Sequence, residues 1–336
     1  MSIISIAVDA MGGDFGPEAV ISGLDFALTN LLDNRNVSFN IYGEESQLLP
    51  MLNKYKIVKD HSLLINTSEV VLANDKPSFA LRRRRSSSMW CAIDSIKNGI
   101  TSGAISSGNT GALMAISRFL LGTLPNINRP AICTVLPSKC GSFVLLDLGA
   151  NIECDAGSLF QFAVMGNAFA KAVLNVENPK VALLNVGQEE VKGTDVIREA
   201  FSLLKQVENK MNFYGYVEPV DILDNDVDVV VADGFSGNVV LKVAESVAYT
   251  FTSIFRESVT SSVITRFAGL LLKGRLKKNF MRFNPKMHNG AILVGLNGVV
   301  VKSHGNADKI AFAHAVKVAI NAVSNDINAK IIHELD

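Results

Sequence analysis

Cysteine and tryptophan are scarce: four cysteines and one tryptophan in 336 residues, with no CxxC pair. Cys91, Cys133, Cys140 and Cys154 lie in mainly apolar surroundings, the pattern of reduced thiols rather than of a disulfide framework or a zinc site. No apolar run approaches the ~20 residues that cross a bilayer. The opening MSIISIAVDA reads as a strand and not as a signal peptide, so a cytoplasmic compartment is expected. Excess charge of either sign is also missing, with 32 Lys plus Arg against 32 Asp plus Glu, which gives no reason to expect nucleic acid. Several chemical signatures are absent too. There is no G-x-G-x-x-G turn with an acid ~20 residues on, no G-x-x-x-x-G-K-[ST] loop and no G-x-S-x-G elbow. No His/Asp/Glu group has metal-ligand spacing. Dinucleotide, P-loop, serine-hydrolase and metal chemistry are therefore disfavoured.

What is present is an alternation. Strand-like runs occur at 3–8, 37–43, 62–66, 103–107, 131–137, 142–149, 180–187, 213–218, 227–233 and 291–298. Several are continuous Val/Ile/Leu runs, as expected of strands covered on both faces. Helical stretches fit between them at 17–32, 87–98, 110–121, 155–175, 193–210 and 307–328. This order predicts an α/β fold with a mainly parallel sheet, in one unit spanning 1–336. Residues 239–283 break the rhythm and predict a helical hairpin inserted into that unit.

The predicted strand ends are rich in small polar residues: DAMGGDFG (9–16), SSGNTGA (106–112), DLGANIECDAG (147–157), NVGQEEVKG (185–193) and DGFSGN (233–238). Glycine admits close backbone approach to a ligand, and Ser, Thr and Asn supply neutral hydrogen bonds. Taken together, these loops predict an anion site with few fixed charges, suited to phosphate. Gly12, Gly13, Asp14, Ser107, Asn109, Thr110, Gly111, Asp233, Ser236 and Gly237 are its candidate binding residues. Each loop also has the plainer reading of a helix cap. Asp9 and Asp14 are unexpected beside an anion and are read as orienting neighbouring loops or Lys192.

Lys192 precedes a predicted helix start at Gly193 and can neutralise phosphate or a developing oxyanion, or can equally be a surface lysine paired with a glutamate. Asn238 reads as an amide donor or an N-cap. His304 lies between a strand and the C-terminal helix, as a site residue or a structural one. The RRRRSSSMW stretch (82–90) reads as a solvated face leading into a Ser-capped helix, with a partial role near phosphate left open.

One region is strongly basic. Between Glu257 and Asp308 there is no acid, but Arg266, Lys273, Arg275, Lys277, Lys278, Arg282, Lys286 and Lys302 all occur. Ile264, Phe267, Leu270 and Leu271 are interleaved with those cations, a composition that suits an anionic membrane surface. A dimer-forming or core-packing hairpin is the alternative, and dimerisation is compatible with membrane contact.

The motifs VDAMGGDFGP, SSGNTGALMA, LLNVGQEEVKG, VVVADGFSGNVVLK and LVGLNGVVVKSHG, in this order from residue 8 to residue 305, together resemble the phosphate acyltransferase family of bacterial phospholipid synthesis. The resemblance implies a three-layer, Rossmann-like fold similar to the isocitrate/isopropylmalate dehydrogenases and to phosphotransacetylase, without a nicotinamide or other cofactor. It implies acyl transfer from acyl carrier protein to inorganic phosphate. The acyl phosphate product would feed an acyl-phosphate:glycerol-3-phosphate acyltransferase. It further implies a homodimer attached peripherally to the cytoplasmic membrane through the hairpin. The family's active-site lysine falls on Lys192 and its asparagine on Asn238. Ser107 stands where alanine is commoner. Two rivals remain: a metal- and NAD-dependent dehydrogenase of the same fold, whose arginine-rich and aspartate motifs are not found, and a non-catalytic membrane adaptor for lipid-synthesis enzymes.

Overall fold

The computed structural model describes residues 3–32, 36–139, 141–224, 226–261 and 283–335. Buried Val, Ile and Leu runs form the strands, and polar side chains start many of the helices that separate them. The N-terminal half contains β1 (Ile4–Asp9), α1 (Gly16–Asn30), β2 (Val37–Gly43), α2 (Glu45–Lys54), α3 (Lys56–Asp60) and β3 (Ser62–Asn66). Then come α4 (Pro77–Arg83), α5 (Ser88–Lys97), β4 (Gly103–Ser106), α6 (Thr110–Leu121) and β5 (Ala131–Pro137). The chain continues through β6 (Ser142–Leu146), α7 (Ala156–Val173), β7 (Val181–Leu184), α8 (Asp195–Lys205), β8 (Phe213–Val217), β9 (Val229–Val231) and α9 (Gly234–Thr260). A 3-10 turn (Pro285–His288), β10 (Ala291–Val294), β11 (Val299–Lys302), α10 (Lys309–Ser324) and α11 (Ile327–Leu335) complete it.

All eleven strands join one sheet in the order β3-β2-β1-β4-β11-β10-β5-β6-β9-β7-β8. Pairing is parallel except at β11-β10, β10-β5 and β5-β6. The predicted mainly parallel α/β sheet is thus present, with an antiparallel centre. That centre has a consequence for the loops. Strands β1, β2, β3, β4, β11 and β5 run one way, and β10, β6, β9, β7 and β8 run the other. The five polar strand ends therefore divide into two sets, one after β1 and β4, the other after β6, β7 and β9.

Side chains alternate across the strands, as pleating requires. In β1, Ile6 and Val8 pack with the layer that includes α1, α7 and α10, whereas Ala7 packs with α5 and α6 on the other face. The three-layer architecture follows directly. Side-chain caps start the helices: Ser87, Asn109, Asp155, Thr194, Asp233 and Asp308 each accept a backbone N–H from the first turn.

The sequence reading differs in particulars. The run at 291–298 is one short strand plus a turn, and β11 follows it; helices α2 to α4 were not anticipated. Gly193 does not open a helix, because Thr194 caps one that begins at Asp195. The predicted hairpin is described only in its first part. α9 is 27 residues, about 40 Å at 1.5 Å per residue. Its only buried residues are Gly234 and Gly237, and Val243, Val247, Phe251 and Ile254 are exposed. Ile264, Phe267, Leu270 and Leu271 lie outside the described residues, as do Cys140 and most of the basic cluster.

Candidate active site

Asp9 closes β1 as a buried carboxylate. It accepts from Ser88 Oγ and Ser106 Oγ, both at 2.6 Å, and from Met11 N at 3.3 Å. Burial raises its pKa, opposed by those bonds and by the charge of Lys302. Asp9 therefore fixes the loops after β1 and β4 relative to each other, and it does not contact Lys192. Gly12 and Gly13 lie over the second of these loops. A Cβ on Gly12 would approach Gly108 N to 2.6 Å, and Gly13 adopts φ +96°, facing Ser107. Asp14 N donates to Gly305 O at 2.7 Å, which joins the loop after β11 to the same cluster.

Three basic groups meet here. Lys302, the last residue of β11, donates to Ser107 O at 3.4 Å and to Ser303 O. Burial, then the neighbouring charge of Lys242, lower its pKa to about 8, against the opposing pull of Asp9 and Asp14. Lys242, on α9, lies 2.9 Å from His304 Nε2 and 2.8 Å from Glu245. Burial first, and then Lys242, lower the pKa of His304. Asn289 holds His304 from behind, accepting its backbone N–H at 2.9 Å. Ser107 Oγ is buried with no hydrogen-bond partner among the described residues.

The opposite set of loops is built around a second buried carboxylate, Asp147, just after β6. Its oxygens accept from Ile132 N (2.8 Å), Ala150 N (3.1 Å), Asn151 N (2.6 Å) and Asn151 Nδ2 (3.0 Å). Asn151 O in turn accepts from Gly234 N at 2.7 Å, fixing the start of α9 to this loop. Asn238 is thereby set beside Gly149, exposed, one helical turn before Lys242 on the same face.

Gly12, Gly13, Asp14, Ser107 and His304 are thus brought together. Asn238 stands one turn from them along α9. Other expected site residues make contacts within the chain. Asn109 caps α6, and its Nδ2 donates to Ala73 O (3.0 Å) and Asp75 O (2.9 Å), pinning a loop that ends at α4. Gly111 lies under Pro77 of the same region, and Thr110 is exposed at the helix start. Asp233 is the cap of α9, accepting from Ser236 N (2.8 Å) and Ser236 Oγ (2.9 Å), so the N-cap reading belongs to Asp233 and not to Asn238. Gly237 packs closely against the Asp147 carbonyl.

Lys192 is exposed, and no described contact links it to the lysine cluster. Asn185 shapes its loop, donating to Gly187 O (3.1 Å) and Lys192 O (3.3 Å).

The site carries more fixed charge than the small polar loops suggested. Lys242 is not among the residues expected from the sequence, and Lys302 enters there only as one cation of the basic region. The available signal was a lysine closing an apolar run twice, in NVVLK and VVVK, the first of them four residues after Asn238. Arg84 pairs with Asp75 at 3.2 Å, and Arg85 stacks over Trp90, so both make structural contacts. Cys91, Cys133 and Cys154 are free thiols, all with raised pKa through burial, Cys154 to about 11. None is poised as a thiolate. No metal-holding group of His, Cys, Asp and Glu exists among the described residues.

A family model described as "Fatty acid synthesis protein" matches residues 4–330. A phosphate acyltransferase of Ehrlichia chaffeensis is 79% identical over 336 residues, covering 100% of both chains. One from Wolbachia pipientis is 57% identical over 332 residues, covering 98% of this chain and 96% of that one. Among solved structures, a phosphotransacetylase from Streptococcus pyogenes shares the fold, with TM-score 0.63, 16% identity, and coverage of 96% of this chain and 94% of that one. The match along the whole length makes this chain a member of the phosphate acyltransferase family of fatty acid synthesis, an acyltransferase.

Proposed function

We propose that the acyl donor is a fatty acyl thioester of acyl carrier protein and that inorganic phosphate attacks it directly. A phosphate oxygen forms a bond to the thioester carbonyl carbon, the C–S bond breaks, and the thiolate leaves and is protonated by solvent. The observation that carries this reading is the meeting of Lys242, Lys302 and His304 over glycine-rich loops, with no activated thiol among the described residues. Phosphate is its own nucleophile, so the protein need only hold it, stabilise the oxyanion and align the donor. Lys192 and Asn238 take the oxyanion side. The acyl phosphate serves an acyl-phosphate:glycerol-3-phosphate acyltransferase.

The direct test mixes protein, acyl carrier protein thioester and phosphate, and traps acyl phosphate with hydroxylamine. Product is expected to depend on both substrates, and Lys192→Ala to lower the rate at least about 100-fold. A wild-type rate in Lys192→Ala would remove that residue from the mechanism. Absence of trappable product from the wild-type protein would leave the adaptor reading.

The exposed apolar positions of α9 (Val243, Val247, Phe251 and Ile254) favour a second copy of the chain and a membrane surface as neighbours. No described helix is long and apolar enough to cross a membrane. Attachment would be peripheral, on the cytoplasmic face. Flotation with anionic vesicles tests it: Leu270→Glu with Leu271→Glu should release the protein, and unchanged flotation would exclude those residues as anchors.

A further inference from the structure

We propose that Lys242 and Lys302 together form the seat of inorganic phosphate, binding it as a dianion between α9 and the ends of β1, β4 and β11. This rests on the phosphate acyltransfer reading above and names the residues that recognise its nucleophile.

The geometry points there from several directions. Lys242, from α9, reaches to 2.9 Å from His304, two residues past Lys302, and its charge acts on Lys302. Like charges converge in this way at cost unless an anion joins them. Lys242 has a carboxylate partner within the chain, whereas the described bonds of Lys302 reach no carboxylate. Glu245 pairs with Lys242 at 2.8 Å and faces His304 at 3.9 Å. Asp9 and Asp14 act on Lys302 from the loop after β1, but the Asp9 oxygens are already occupied by Ser88, Ser106 and Met11. Lys302 spends its described bonds on two backbone carbonyls, Ser107 O and Ser303 O, which orient the ammonium without cancelling its charge.

The second observation is independent of charge. Ser107 Oγ is buried, unpartnered among the described residues, and belongs to the residue whose carbonyl holds Lys302 and whose Cβ faces Gly13. A buried hydroxyl without a partner is destabilising, and a ligand oxygen removes that cost. Two ammonium groups supply the charge that balances a phosphate dianion, and the free hydroxyl supplies a donor to one of its oxygens. They match a phosphodiester monoanion, such as that in a prosthetic arm, less well.

The experiment is calorimetric titration of the full chain with inorganic phosphate alone, without acyl donor, and a parallel titration with dimethyl phosphate. Wild-type protein is expected to bind phosphate at least tenfold more tightly than dimethyl phosphate. Lys242→Gln and Lys302→Gln should each weaken phosphate binding at least tenfold and raise the phosphate KM with little change in the thioester KM. Lys205→Gln, on α8, should match wild type. Phosphate affinity unchanged in Lys242→Gln overturns the proposal; that side chain is half exposed, so this variant decides the matter even where Lys302→Gln fails to fold. No phosphate binding by wild type, or equal binding of dimethyl phosphate, also overturns it. The outcome is separable from the acyltransfer reading: lysine-dependent phosphate binding without acyl phosphate formation would sustain the site and remove the assigned donor.

Discussion

Lys242 Nζ lies 2.9 Å from His304 Nε2, a contact between α9 and the loop that leaves β11. These elements follow strands of opposite direction, so the contact spans the reversal at the centre of the sheet. An ammonium can only donate, so Nε2 faces a donor, and Nδ1 faces a second one, the Asn306 N–H at 3.4 Å.

The first prediction concerns that imidazole. Burial, Lys242 and Lys302 hold His304 below its ordinary 6.5, against Glu245. Its contribution to stability is present above 6.5 and is lost as pH falls through the lowered value, because the unfolded chain binds the proton more readily. Histidine NMR titration should give a midpoint below 6.5, and Lys242→Gln should raise it. Identical midpoints would show that Lys242 does not act on the ring.

Lys302 should trade stability for function. Holding a lysine near 8 instead of 10.5 costs the folded state about 3 kcal/mol at neutral pH. Lys302→Met should therefore unfold at a higher temperature at pH 7, although Ser107 O and Ser303 O lose a donor and offset part of the gain. Between pH 8 and 10.5 the unfolded wild-type chain holds a proton that the folded one has lost, so wild-type stability rises with pH there and the difference closes. Acyl phosphate formation should fall at least about 100-fold in the same variant. A less stable Lys302→Met with full activity would make the residue merely structural.

Asp147→Asn tests the second buried carboxylate. An amide keeps one accepting oxygen but turns a donor toward Asn151 N and Asn151 Nδ2, which already donate. Denaturant titration should show a loss of about 3 kcal/mol. A loss below about 1 kcal/mol would mean the loop relaxes around the change.

Gly193→Ala probes the shape of the lysine loop. Gly193 has φ +86°, and an added Cβ would collide with the Asn185 amide oxygen. Asn185 holds Gly187 O and Lys192 O, so displacing it should move Lys192. The rate of acyl phosphate formation is expected to drop at least tenfold, with about 1–2 kcal/mol lost in stability. A normal rate with only the stability loss would separate loop shape from catalysis.

Much of the fold was legible because burial on both faces leaves continuous apolar runs: β2, β3 and β5 match the sequence-predicted bounds. The strand expected over 291–298 runs β10 and the turn together and stops short of β11. Gly295, Asn297 and Gly298 mark its turn, but the apolar residues on either side masked the break. The site was harder to read. Gly12, Gly13 and Ser107 belong to short local patterns, whereas the approach of Lys242 to Lys302 depends on where α9 crosses the sheet ends. Asn109 shows the opposite failure. Its pattern looked like a ligand donor, but it ties down 73–75, a segment with no signal of its own.

Asp9 and Asp147 do the same work on the two sides of the sheet reversal, each an internal acid whose oxygens are filled by the surrounding loops. The loops that would wall the proposed phosphate site are consequently tied down within the chain itself. An ion entering walls that are already fixed gives up its own freedom and little of the protein's.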